Sequence, residues 1–219
     1  MPSWIEFNLA CRGLLLLARF DPAFLRYFDR SASGALRSFW LALPLLPIDL
    51  LNDWLRAPRP LPSPGLFFAA EIVGYATGWI LFPLLLLGLG RALERDAEAP
   101  GAIAPYNWAM LLGVALNLPA LLAIGFDPQS SFVGPLDLLV FLYLMTIEGF
   151  LLKQCLRLQL WQAVALVAMD VVLSIVLGPL VLVLGDVPIP SAAISSLRRL
   201  PLRIAAPLQT SDRLTASWS

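Results

Sequence analysis

Five apolar segments, each close to the roughly 20 residues that a bilayer core demands, fill most of this chain at about 36–55, 66–89, 107–124, 133–152 and 161–184. Segments of that kind must be covered on all sides by lipid or by one another, and the short connections between them leave no room for a soluble domain. The stretch 56–65, "RAPRPLPSPG", holds four prolines and predicts a stiff turn. "RALERDAEAPGAIAP" is the most charged loop, "GFDPQSS" carries no basic residue, and "KQCLRLQ" predicts a helical bend or an interfacial continuation. Composition agrees: 14% of the 219 residues are charged and 59% hydrophobic, whereas a soluble domain carries about 25% charged residues. The expected fold class is all-α, a polytopic membrane helix bundle of about five transmembrane helices.

Residues 1–34 form an expected amphipathic lead. Glu6, Arg12 and Arg19 interrupt its apolar run, and Trp4, Phe7, Cys11, Leu14, Leu15 and Ala18 share one side at helical spacing, which predicts a helix lying in the membrane interface. A helix packed against the bundle and a spanning or re-entrant piece are the alternatives. The start lacks the basic residues and cleavage pattern of a removable signal peptide. The membrane domain is expected over 35–185. Residues 186–219 alternate apolar pieces with proline and arginine and predict a disordered or membrane-grazing tail.

The N-terminal region carries Arg12, Arg19, Arg26, Arg30 and Arg37, whereas the third loop has no basic residue. With five spans, nine basic residues fall inside and six outside, which puts the N-terminus in the cytoplasm. Arg198, Arg199, Arg203 and Arg213 would then lie outside, and a sixth crossing or a re-entrant piece would remove that conflict.

The chain has no histidine and two cysteines, Cys11 and Cys155, so histidine-based triads, metal sites and pH switches are absent and no cofactor is expected. Fourteen of the fifteen basic residues are arginine, scattered singly. A nucleic-acid partner is not expected.

Ionisable groups inside a span usually have a partner, a wet cavity or a place near an end. Asp49, Asn52 and Asp53 lie at spacings i, i+3 and i+4 in "ALPLLPIDLLNDW", with Glu71 one turn into the next span. The expectation is that the helix ends at Pro47, with Asn52 and Asp53 as its cap and Arg56 as countercharge. The alternative gathers these groups with Arg59 into a polar vestibule or a substrate site. Asp170 lies near the middle of the fifth span with Ser174 one turn on, and Asn117 is similarly deep in the third span before Pro119. Asp170, Asn117, Asp49, Glu71 and Ser174 are therefore the candidate intramembrane polar site, unless Asn117 simply hydrogen-bonds Asp170. Glu148 is expected to snorkel or to pair with Lys153, and Gly74 and Gly78 to form a close helix contact. No phosphate loop, nucleophile elbow or paired acidic motif occurs, so an enzyme is not expected.

The lead "FDPAFLRYFDRSASGALRSFWLALPLLP", the late proline of "YNWAMLLGVALNLPALLAI" and the junction "FLYLMTIEGFLLKQCLRLQLWQAVALVAMDVVLSIVL" resemble the bacterial members of the Yip family of five-span membrane proteins. The resemblance covers most of residues 15–184 and implies architecture in a bacterial inner membrane. The Asp-Leu-Tyr-Gly-Pro motif of eukaryotic relatives is absent, so their small-GTPase partners are not implied. The expected role is structural or membrane-organising, with the lipid bilayer and a membrane-protein partner or second copy as partners. A small transporter using the intramembrane polar residues is the first alternative, its substrate open. A membrane-embedded enzyme is the second.

Overall fold

The Ser31 hydroxyl accepts the Gly34 N–H and starts α2 (Ala32–Ser38), which passes through a 3-10 turn at Phe39–Leu41 into α3 (Ala42–Arg56). Together they make one run of 25 residues, long and apolar enough to cross a membrane. This computed structural model describes residues 2–57, 63–127 and 131–184, with side chains to Val176. α1 (Trp4–Leu17) precedes that run, and α4 (Pro64–Ala92), α5 (Pro100–Phe126), α6 (Val133–Leu156) and α7 (Leu160–Leu184) follow it. The protein is an all-α bundle with no strand among the described residues. α4, α5 and α6 also have the length and composition to span, and α7 is apolar over Leu160–Val176. The chain divides at Pro188, and the second unit, Ile189–Ser219, lies outside the described residues; so does most of the tail expected from residue 186 and, in the first loop, Arg59.

The helix expected to stop at Pro47 instead continues to Arg56. Keeping the helix sacrifices the one bond that a proline cannot donate, whereas ending it in apolar surroundings would orphan several backbone groups at once. The Tyr75 hydroxyl ties the start of this helix to α4 by donating to the Ala42 carbonyl at 2.7 Å.

Five helical walls close into a ring, in which α3 touches α4, α4 touches α7, α7 touches α6, α6 touches α5, and α5 returns to α3. Large apolar side chains face outward: Ile80, Leu139 and Val172 are more than half exposed. Polar Ser38 and Asn107 are buried inside and linked, the Asn107 amide donating to the Ser38 hydroxyl at 2.9 Å. That inversion suits a bundle whose outer solvent is hydrocarbon.

The N-terminal lead braces α5 and α6 from outside. α1 buries Ala10, Leu14 and Leu17, sets Phe7 against Trp108 of α5, and leaves Trp4 and Leu15 exposed. The packed face is thus turned from the stripe that spacing predicted, because Gly13 and Ala10 permit the closest approach; a Cβ on Gly13 would lie 2.7 Å from the Phe28 ring. Phe24 of the following 3-10 turn is fully buried and meets Phe150 of α6. Ser31 bonds and the Arg37 guanidinium, 2.6 Å away, hold the Asp29 carboxyl below the usual carboxylate range.

The tightest glycine is Gly34, where an added Cβ would stand 2.2 Å from the Asp29 carbonyl oxygen. Gly34→Ala is expected to destabilise the fold by about 3 kcal/mol, the upper range for overpacking. Thermal unfolding in detergent reads this against Gly78→Ala, where nothing lies within 4 Å and no loss is expected.

Candidate functional site

Between the five helical walls lies a half-open cavity of about 480 Å³, lined by residues of all five. Asp49 and Asn52 reach it from α3, Tyr75 and Trp79 from α4, Asn117 from α5, Glu148 from α6, and Asp170 and Ser174 from α7. Along α5 the lining runs from Tyr106 to Leu121, which at 1.5 Å per residue is roughly 22 Å. The cavity therefore extends over much of a bilayer core.

Four of the five residues singled out by sequence, Asp49, Asn117, Asp170 and Ser174, share this cavity. Glu71 does not line it. Its carboxyl stands within hydrogen-bonding reach of Asp53, the two forming a carboxyl pair between α3 and α4. Asn117 donates to the Gly113 carbonyl of its own helix at 2.9 Å, so it is not committed to Asp170. Neither Asp49 nor Asp170 accepts a hydrogen bond among the described residues. Arg56 sits one turn beyond Asn52, donating to its side-chain oxygen at 2.8 Å and forming a two-pronged pair with Asp137 of α6 at 2.6 and 3.0 Å. The arginine expected as countercharge for Asp53 is thus engaged mainly across the bundle.

Two groups were not legible as site residues. Glu148, set aside as a snorkelling partner of Lys153, turns inward; its Oε1 is buried with no hydrogen-bond partner, and the residue lines the cavity with Asp170. The signal that would have found it is rotation: Glu148 lies one residue from buried Ile147 and three from Leu151, on the α6 face that looks into the ring. Gly78, expected in a close helix contact, instead borders the cavity and has open space beside it. Tyr75 and Tyr106 line the same cavity as Asp49, Glu148 and Asp170.

The chemistry of this lining is one-sided. Three carboxyls project from three different helices, and no lysine or arginine is among the described lining residues. No group of three Cys, Asp or Glu side chains converges as a metal site would require, among the described residues. The rest of the wall is apolar or aromatic, the usual make-up of a small-molecule pocket. No protein-family profile, curated protein or solved structure matches this chain.

Proposed function

We propose that the protein is a small membrane carrier whose central cavity holds its solute. The observation that carries this reading is that Asp49, Glu148 and Asp170, from three helices, line one cavity. Carboxyls without protein partners inside a span mark solute or ion pathways more often than packing seams. A membrane-organising role would ask for polar groups spent on helix seams or on the outer face, and it gives no use to the internal space. The N-terminus belongs in the cytoplasm in this reading, the membrane is a bacterial inner membrane, and the Yip resemblance describes the helix layout, with α1 along the interface.

The test is chemical access. Single cysteines introduced by Asp170→Cys and Asn117→Cys, in a background carrying Cys11→Ala and Cys155→Ala, are treated with a water-soluble thiol reagent in intact membranes. Both are expected to react, because the cavity is a water path to the middle of the bundle. Protection at both positions would overturn the carrier reading and leave a sealed packing core.

A further inference from the structure

The solute's chemical class follows from what the cavity wall offers and what it omits. An anion would find three carboxyls and no basic side chain among the described lining residues. A neutral solute would offer no countercharge to three carboxyls that line the space with no basic side chain among the described lining residues, and a lone charge in a span is costly. A divalent metal ion usually draws on several carboxylates closing on one point, and no three Cys, Asp or Glu side chains do so among the described residues. The aromatic rings of Tyr75, Trp79, Phe82 and Tyr106 line the same space, and Phe82 stacks on Tyr106 with centroids 4.3 Å apart. Ring faces attract organic cations, most strongly where water is excluded.

We propose that the cavity takes an organic cation, an amine or quaternary ammonium with an apolar body, its charged head toward Glu148 and Asp170 and its body against the aromatic wall. This rests on the carrier reading but says more, since that reading holds for a solute of any charge. The head supplies the countercharge that the two acidic groups lack, and where it carries N–H groups it donates to the Asp170 carboxyl, which lines the cavity and accepts no hydrogen bond among the described residues. The volume of about 480 Å³ lies within the usual range for drug-sized ligands, roughly 300–1,000 Å³. A cation that is mostly charge with little apolar surface would leave most of that wall uncovered.

The experiment uses the full-length Asn117→Cys protein in the cysteine-free background, reconstituted in nanodiscs, and reads the rate of thiol labelling. Phenyltrimethylammonium is the cationic probe, tert-butylbenzene its neutral isostere and benzenesulfonate the anion of similar size. Phenyltrimethylammonium is expected to slow labelling at concentrations about tenfold lower than either comparison probe, the factor expected from one buried cation interaction. Adding Glu148→Gln or Asp170→Asn is expected to remove most of that preference, with basal labelling retained as proof that the cavity still forms. Equal protection by tert-butylbenzene, preference unchanged in both acidic variants, or labelling that no probe slows would each overturn the cation assignment and leave the carrier reading standing. Absence of basal labelling would overturn the carrier reading itself and the cation assignment with it.

Discussion

Arg30→Met is expected to cost about 2–5 kcal/mol and to leave little folded protein after extraction into detergent. Arg30 lies in the lead before α2, yet its Nε donates to the Gly101 carbonyl at 3.1 Å and its Nη2 to the Cys155 carbonyl at 2.9 Å. Both acceptors lack a helical donor. Gly101 would normally bond the N–H of residue 105, which is a proline inside α5, and Cys155 sits in the last turn of α6, where carbonyls have no helical donor. One guanidinium thus mends a proline gap in one helix and caps the end of the next. Leaving a buried polar group unpaired costs about 1–3 kcal/mol, and here two are lost together. Arg30→Lys has a single point of donation and is expected to fall between wild type and Arg30→Met. Thermal unfolding of the three proteins checks the order; unchanged stability of Arg30→Met would mean that water serves both carbonyls equally well.

Gly78→Trp is expected to close the cavity while the fold persists. A Cβ at Gly78 meets nothing within 4 Å, and the residue borders the cavity from α4, so an indole there has open space at the cavity edge to occupy without displacing backbone. Labelling of Asn117→Cys by a water-soluble reagent is expected to drop by roughly tenfold or more, and any solute flux to vanish, because two bodies cannot share one pocket. The unfolding midpoint is expected to stay near that of the parent. Unaltered labelling would mean that the water path bypasses α4, and a collapse in stability would mean that the space is needed for packing adjustments.

How far the sequence reaches is clearest in α3. Its apolar length predicts a span and its Asp49, Asn52 and Asp53 register predicts one polar face, both of which follow from helical spacing and bilayer thickness. The expected stop at Pro47 applied a rule learnt in water, where a broken helix can hydrate its loose ends. Among apolar neighbours the helix runs on to Arg56, and this carries Asn52 to the cavity wall and Arg56 across to Asp137. Glu148 escaped notice for a different reason. Distance from the helix end and a lysine five residues on describe position along α6 but not rotation about it.

By itself the sequence determined that this is a helical membrane bundle, since apolar length, charge scarcity and proline-rich turns act through local chemistry and solvent. It also marked Asp49, Asn117, Asp170 and Ser174 as misfits, because a polar group in a span is conspicuous wherever it points. Only the tertiary structure decided that α3, α4, α7, α6 and α5 close into a ring, that those misfits and Glu148 share one cavity, and that Arg30 joins α5 to α6. Those outcomes depend on helix rotation and neighbour choice. In a bilayer, where lipid and leucine are equally apolar, rotation is settled by close packing and interhelical hydrogen bonds, interactions between residues such as 30, 101 and 155 that are far apart along the chain.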